Sequence, residues 1–461
     1  MMADLKENDF RRNKKAINYV PVDRAVDVIF DEDKENTEYY SLTEQMDDDV
    51  VVSYDGSALC KFETWAECEF ESKLIKNINK CGYCRPRKIQ AYTMPFVITK
   101  IDVKSQAETG SGKTAAFLLP IIDTILKENY EREVRSPFAV IISPTRELAL
   151  QTHEQARKFT IDTGVTAAKA YGQYSIKENL AELDRGCDII SATPGRLKHL
   201  VEQGELNLEN LKFFVLDEAD ELINGNFINI LRSIVSMGNC PDKENRTNLL
   251  FSATFSPTVD DLCKELLKDD YAVIINSKCN QVNKRIIHKF IKVSKNEKNQ
   301  ILINILKEEL EKCEKESKKL PRTLVFVEKK RHADMLAIAL VDEKINAVSL
   351  NGDRPQNIRE EALNNFRSHK VDVLVATDVC ARGLDIKELD HVINVDLPSN
   401  YYTFVHRVGR TGRFRVGKAT SFYDPNENGA HKEEYKQTFI ANGQDIPDFL
   451  SNDEERKVYN T

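Results

Sequence analysis

From Lys61 onward, short apolar runs alternate with stretches whose apolar residues recur at helical spacing. Phe138–Ile142, Phe213–Leu216 and Leu249–Phe251 are continuous apolar runs and predict strands buried on both faces. Thr114–Glu128 and Glu147–Phe159 predict helices interspersed with them. Strand and helix in alternation predict a parallel, doubly wound sheet, because a parallel crossover needs a connection long enough to hold a helix. A second series follows Ser277, with strands predicted at Thr323–Val327, Val371–Val375, His391–Val395 and Ala419–Phe422. The helix predicted ahead of it, Asn296–Lys319, carries Ile301 and Ile305, then Leu302, Leu306 and Leu310, at i, i+4 spacing, and its Lys and Glu residues read as its wet face. No short-period repeat occurs. The pattern therefore predicts two tandem parallel-sheet α/β domains, 61–277 and 285–440, joined by a short linker. An N-terminal extension (1–60) and a short polar tail (441–461) flank them.

Length supports this division, since 461 residues exceed one ordinary core. No run of about 18 apolar residues predicts a transmembrane helix. Met1–Lys15 is polar and mixed in charge, without the apolar centre of a signal peptide, so a cytosolic or nuclear protein is expected. Ten cysteines include one C-x-x-C pair, Cys81 and Cys84, with no second pair beside it. Reduced free thiols are expected rather than a zinc site. A net charge of −8 argues against a nucleic-acid binder working through a basic tail, but leaves a local basic track open. The acidic clusters Asp31-Glu32-Asp33 and Asp47-Asp48-Asp49 predict a solvated, flexible leader.

Chemistry concentrates in a few stretches. Ala107-Glu108-Thr109-Gly110-Ser111-Gly112-Lys113-Thr114 is a phosphate-loop pattern with Ala107 in the place of the first glycine. In such a loop backbone N–H groups wrap the phosphates, the lysine reaches the outer ones, and the last hydroxyl ligates Mg²⁺. Val215-Leu216-Asp217-Glu218-Ala219-Asp220 is an apolar strand ending in carboxylates, which supplies the metal-holding acid such a loop needs. Together and in this order they predict nucleotide hydrolysis. His406-Arg407-Val408-Gly409-Arg410-Thr411-Gly412-Arg413 spaces three arginines by three, a poor pattern for a core. Arginines brought from another domain can stabilise the charge of a transferring phosphoryl group, so the nucleotide is expected between the domains.

These motifs resemble those of the DEAD-box RNA helicases, over about Trp65 to Phe422. Asp217-Glu218-Ala219-Asp220 is the naming motif. Pro144-Thr145-Arg146-Glu147-Leu148-Ala149, Thr193-Pro194-Gly195-Arg196, Ser252-Ala253-Thr254, Gly352-Asp353 with Gln356 and Arg359, Ala376-Thr377-Asp378 and Arg382-Gly383-Leu384-Asp385 follow in family order. The resemblance implies two RecA-like domains. It gives Lys113 and the residues Thr109, Gly110, Ser111, Gly112 and Thr114 to the ATP phosphates, and Thr114 and Asp217 to Mg²⁺. Glu218 would orient and deprotonate the attacking water, and Arg410 and Arg413 would be arginine fingers active when the domains close. Asp385, beside Gly383, would hold the ribose, Gln90 would read the adenine edge, and Trp65 would pack at the base. Ser252 and Thr254, with Asp220 and His406, would couple hydrolysis to strand separation. Pro144, Thr145, Arg146, Gly172, Thr193, Arg196, Gln356, Arg359 and Thr377 would contact RNA. Such hydroxyls, amides and arginines suit phosphate and 2′-OH contacts rather than base edges, so sequence-independent binding of single-stranded RNA and short duplexes is expected. The expected protein is a monomer, cytoplasmic, in RNP granules or the nucleus.

Within the family, Asn18-Tyr19-Val20-Pro21 and Lys243-Glu244-Asn245-Arg246 resemble the Vasa type, which implies a germline role. The chain also departs from the family pattern. Glu108 replaces Gln, Gly172-Gln173 replaces paired glycines, His199 stands for Asp, Glu221 for Arg, and Arg87-Lys88 for Thr-Pro. These departures bear on rate, RNA affinity and coupling, and none removes a catalytic group. An RNA-stimulated ATPase that locally unwinds RNA or remodels RNPs is the resulting expectation. Its rivals are a nucleotide-gated RNA clamp with weak turnover and a DNA- or protein-remodelling motor on the same core.

Overall fold

The computed structural model describes residues 19–34, 49–56, 61–107, 110–128, 130–224, 227–237, 239–276, 283–378, 389–412 and 415–451. The chain divides into two compact units, Met1–Ala107 with Ser111–Ser277, and Glu108–Gly110 with Lys278–Thr461.

The first unit holds an eight-stranded sheet: β1 (Val50–Ser53), β2 (Asp102–Gln106), β3 (Ala139–Ile142), β4 (Ala167–Ala170), β5 (Ile189–Ala192), β6 (Phe213–Leu216), β7 (Thr247–Ser252) and β8 (Tyr271–Asn276). Their spatial order is β1-β8-β2-β7-β6-β3-β5-β4. Every pairing is parallel except that of β1, which lies antiparallel on β8. The continuous apolar runs have a direct cause. Ile141, Phe213 and Val215 face one core, while Val140, Ile142, Phe214 and Leu216 face the other, so successive residues are buried on opposite sides.

The second unit holds a six-stranded, all-parallel sheet of β9 (Ile286–Lys292), β10 (Thr323–Phe326), β11 (Ala347–Leu350), β12 (Val373–Ala376), β13 (His391–Asn394) and β14 (Gly417–Tyr423). Its order is β11-β12-β10-β13-β14-β9. Val325, Val375 and Ile393 line one core, Leu324, Phe326 and Leu374 another, and an aromatic cluster of Phe290, Phe404, Tyr435 and Phe439 packs beside β9 and β14. The predicted doubly wound fold is therefore observed twice.

Three expectations change. The leader is not simply solvated: residues Val26–Lys34 form a helix whose Ile29 and Phe30 are buried in the first unit. Its Asp33 pairs with Lys158 at 2.6 Å, both almost without exposure. The helix Lys298–Lys315 is shorter than expected, and Lys298 belongs to its dry side, where it bonds Asp396 and Glu427 at 3.1 and 3.0 Å. Beyond residue 440 the chain stays part of the second unit. Gln444 caps the outer edge of β9, accepting from His288 N at 2.8 Å and donating to Ile286 O at 2.7 Å, and Leu450 is buried.

No helix among the described residues is long and apolar enough to cross a membrane. The thiols of Cys81 and Cys84 bond the carbonyls of Asn77 and Gly82, and no cluster of potential metal ligands occurs among the described residues.

Candidate functional site: a phosphate loop and a polar rim

In the first unit the candidate residues emerge at the carboxyl ends of β2, β3, β4, β5, β6 and β7, where backbone groups of a parallel sheet are released to loops. Gly110 and Gly112 both have positive φ, +85° and +96°, and Gly112 immediately precedes the helix Lys113–Lys127. A side chain at Gly112 would be strained by that φ, and its Cβ, 2.6 Å from Gln90 Nε2, would displace the glutamine amide. Gln90 is 4% exposed and spans two elements: its Oε1 accepts from Arg87 N at 2.9 Å, and its Nε2 donates to Gly112 O at 3.1 Å. The adenine-reading candidate and the phosphate loop are thus physically tied.

Lys113 is 6% exposed, and its Nζ has no hydrogen-bond partner among the described residues. Among the described residues its ion-pair partner is Asp217, 3.8 Å away and 2% exposed. A buried ammonium short of acceptors is costly unless an anion completes its shell. Burial pushes the Asp217 carboxyl up, and Lys113 works against that shift. A buried carboxylate, the Thr114 hydroxyl one residue beyond the lysine and this ammonium make a donor set suited to a magnesium–triphosphate.

Glu218 lies next to Asp217, with its N donating to Asp217 Oδ1 at 3.0 Å and its φ at +53°, in the left-handed region. That turn aims the two neighbouring carboxylates differently. Asp220 then joins Ser252 and Thr254: its Oδ2 accepts from Thr254 N and Oγ1 at 3.1 and 2.9 Å, and its N donates to Ser252 Oγ at 3.3 Å. Asp220, Ser252 and Thr254, three of the four residues expected to couple, are one hydrogen-bonded cluster, joined to the phosphate loop by Ala107 N donating to Ser252 O at 3.0 Å; the fourth, His406, is in the second unit.

A second group borders β3, β4 and β5. Thr145 starts the helix Arg146–Thr160, its hydroxyl accepting from Leu148 N. Arg146 lies against Gly172, with a guanidinium nitrogen 3.3 Å from where a Cβ would stand. Thr193 and Pro194 open the helix Pro194–Glu202 and set Arg196 in its first turn. Arg196 donates to Asn179 Oδ1 at 2.9 Å and to Tyr174 O at 2.7 Å. Burial first, and then the charge of Arg146, press the Arg196 pKa down. Two guanidinium groups close enough to repel favour an anion that neutralises both. Gln173 takes φ +67°, the conformation that paired glycines would adopt without strain. Of the other departures, Glu221 is buried and His199 exposed on its helix.

In the second unit Gln356 and Arg359 lie on the helix Gln356–Arg367 and are both buried, with Gln356 donating to Glu360 at 3.1 Å. Thr377 follows β12, and its buried Oγ1 has no partner among the described residues. The first two arginines of the run, Arg407 and Arg410, are not surface features. Arg407 is 3% exposed, clamps Asp378 with Nε and Nη2 at 2.6 and 2.7 Å, and lies 4.8 Å over the Phe326 ring. Arg410 is also buried, and His406 immediately precedes Arg407 on the chain. Thr109, Gly383, Asp385 and Arg413 lie outside the described residues, as does Glu108.

Trp65 belongs to the core of the first unit at 6% exposure and donates Nε1 to Tyr83 O at 2.9 Å. Sequence reasoning missed the Arg407–Asp378 clamp and the support of Arg196 by Asn179 and Tyr174. The first pair stands 29 residues apart, with no local signal. The bond between Gln90 and Arg87 N does have one, since a glutamine three residues into a helix is capping-box spacing.

Comparison with known proteins agrees with this geometry. Residues 87–262 match the DEAD/DEAH box helicase family and residues 297–415 the helicase conserved C-terminal domain, together more than half of the chain. The chain is 40% identical over 383 residues to ATP-dependent RNA helicase vasa of Drosophila melanogaster, covering 82% of this chain and 55% of that protein. With the Mus musculus ATP-dependent RNA helicase DDX4 it shares 38% over 396 residues, 84% of this chain and 55% of the relative. It thus spans about half the length of these relatives. S. cerevisiae Dbp5 bound to RNA and ADP BeF3 superposes with TM-score 0.69 at 26% identity, over 82% of this chain and 93% of that one. Mss116p bound to ssRNA and AMP-PNP reaches TM-score 0.74 at 23% identity over 86% and 80%, a likeness of fold alone. A phosphate loop tied to Gln90, an Asp217-Glu218 pair beside Lys113 and an Asp220–Ser252–Thr254 cluster lie inside the matched stretches, and the chain belongs to the DEAD-box helicase family.

Proposed function

We propose that this protein is an RNA-stimulated ATPase that locally separates short RNA duplexes or remodels RNPs. The observation that carries the reading is the buried Lys113 ammonium, without a hydrogen-bond partner among the described residues and 3.8 Å from Asp217. A phosphate is the ligand that this ammonium, the neighbouring N–H groups and the helix N-terminus all favour. The vasa and DDX4 relatives are named ATP-dependent RNA helicases, and Dbp5 holds RNA with an ATP mimic, which supports carrying the same chemistry to this chain.

Lys113 and the amides of Thr109 to Thr114 would bind the phosphates, and Thr114 and Asp217 would hold Mg²⁺, which when bound neutralises phosphate charge. Gln90 reads the adenine edge, and Trp65 acts through Tyr83, whose carbonyl it holds, to shape that loop. Glu218 accepts the proton of the attacking water. Arg410 and Arg413, delivered by the second unit with Asp385 at the ribose, would stabilise charge on the transferring group. The Asp220–Ser252–Thr254 cluster and His406 relay the nucleotide's state. RNA would lie along Pro144, Thr145, Arg146, Gly172, Thr193 and Arg196 of the first unit and Gln356, Arg359 and Thr377 of the second, held by backbone phosphates and 2′-OH groups. Since ATP and RNA both favour the closed form, each should tighten the other's binding. In this reading the protein works as a monomer in cytoplasmic RNP granules, germline granules included.

Steady-state ATP hydrolysis without nucleic acid, with single-stranded RNA and with matched DNA tests the reading. Stimulation by RNA alone is expected. Stimulation by DNA alone would overturn it in favour of a DNA motor, and RNA retained in ATP without turnover would make the protein a clamp.

A further inference from the structure

We propose that Asp23, in the N-terminal segment ahead of the helix Val26–Lys34, is a positioning residue for the RNA-contacting turn at Gly172–Gln173 and for Arg196. The inference rests on the RNA reading above and extends it to a part of the chain that precedes the helicase-family match.

The segment is fastened where that turn ends: Ser175 N donates to Tyr19 O at 2.8 Å. Asp23 Oδ1 accepts from Lys169 Nζ at 2.8 Å. Lys169 sits in β4, the strand that runs into the turn, and is 1% exposed. Its ammonium is shared with Glu182, 3.1 Å away, whose Oε1 also accepts from Lys169 N at 3.1 Å. From Lys169 two routes reach Arg196. Along one, Glu182 Oε2 accepts from Tyr174 OH at 2.6 Å, and Tyr174 O accepts from Arg196 at 2.7 Å. Along the other, Asn179 Nδ2 donates to Lys169 O at 2.7 Å while Asn179 Oδ1 accepts from Arg196 at 2.9 Å.

The charges explain why Asp23 matters. A buried ammonium needs more than one acceptor to offset its lost hydration. With Asp23 neutral, Lys169 depends on Glu182 alone and competes with the Tyr174 hydroxyl for it. Tyr174 and Tyr171 flank Gly172–Gln173, their rings 5.9 Å apart, so slack at Tyr174 is slack in the turn. That turn holds Gln173 at φ +67°, a conformation that persists only where its surroundings over-determine it. His153 and Arg157 also face Asp23, at 3.5 and 3.9 Å. Against burial, which alone would raise it, His153 and Lys169 hold the Asp23 carboxyl below the ordinary carboxylate range. Burial lowers the pKa of His153 itself and keeps that ring neutral, so Asp23 is an anion beside two cations, Lys169 and Arg157, yet its side chain stays 39% exposed, so replacing it leaves the core intact.

RNA-stimulated ATPase of the full chain separates positioning from simple fastening. Asp23→Asn should raise the RNA concentration for half-maximal stimulation about three- to tenfold, while ATP-mimic affinity without RNA stays within about twofold. Tyr174→Phe should reproduce the shift, and the double variant should add little to the larger single effect. Arg24→Ala is the control. Arg24 ties the same segment to Glu154 at 3.4 Å, and its carbonyl accepts from Arg157 at 2.9 Å, outside the route to Arg196. RNA dependence should stay near wild type there. An unchanged Asp23→Asn, an additive double variant, or an equal loss in Arg24→Ala would each overturn the inference. A wild-type protein that RNA does not stimulate would instead sink the RNA reading itself, before any variant is compared.

Discussion

His288 should make the second unit sensitive to mild acid, and replacing it should remove that sensitivity. Its ring is buried on β9, with centroids 6.3 Å from Phe404 and 6.1 Å from Phe439, and neither ring nitrogen has a partner among the described residues. Burial alone pushes the imidazole from its ordinary 6.5 down to about 4. The folded form therefore stays neutral while the unfolded chain takes up a proton as pH falls below 6.5. Stability is present above that value and lost toward pH 4, where the folded state also protonates. The full shift corresponds to about 3 kcal/mol, of which about 2 kcal/mol is already lost at pH 5 and almost none at pH 7.5. Against a typical domain stability of about 5–15 kcal/mol this is a large fraction. His288→Phe extends the aromatic cluster and gives up no side-chain hydrogen bond, and His288→Leu guards against a ring too large for the site. The readout is hydrogen exchange of β9 and β14 peptides in the full chain, titrated with urea at pH 7.5 and pH 5. Wild type should lose about 1 M more in midpoint on acidification than either variant. Parallel losses in all three proteins would refute the reasoning and place the acid-sensitive group elsewhere in the unit.

Two further predictions concern the first unit. Glu218→Gln should keep ATP and RNA binding yet lose about two to four orders of magnitude in turnover, as measured by single-turnover hydrolysis; near-normal turnover would remove Glu218 from the role of base. Gln173→Gly should relieve the left-handed strain, raising the first unit's stability by up to about 1 kcal/mol in thermal melts, and should tighten RNA binding in fluorescence titration. Weaker RNA binding would make the Gln173 side chain a contact rather than an obstruction.

What the sequence made legible follows from what each element buries. β3 and β6 read clearly because residues such as Ala139, Val140, Phe213 and Phe214 face apolar cores on both sides. β2 has no such signature, although all five of its residues are buried. Its Asp102 is satisfied by Asn248 N at 2.8 Å and Lys268 N at 2.8 Å, and its Lys104 by Asp260 at 2.5 Å, so partners distant in sequence replace hydrophobicity. β4, Ala167-Ala168-Lys169-Ala170, hides a lysine for the same reason. The leader's acidic sequence predicts solvation because Asp33 is legible as buried only beside Lys158, 125 residues away. The phosphate loop and its acids lay open because their chemistry fixes residue types at short spacing.

The arginine run shows where residue type alone misassigns the work. Arg407 and Arg410 stand three apart on one stretch and look equivalent, yet Arg407 is spent inside the fold. Its planar fork meets both oxygens of Asp378, another nitrogen reaches Asp396 O at 2.5 Å, and its face lies on Phe326. A lysine could supply the charge there but neither the bidentate geometry nor the stacking. Asp378 follows Thr377, the residue after β12 assigned to RNA, so Arg407 fastens that loop to the helix Tyr401–Val408, which carries His406 and leads into Arg410. Arg407, which the motif groups with Arg410, therefore fixes one body that carries both Thr377, proposed for RNA, and Arg410, proposed for ATP. Within this unit the two proposed contacts are joined by one buried clamp, the condition under which binding at one would be felt at the other without a long relay of side chains.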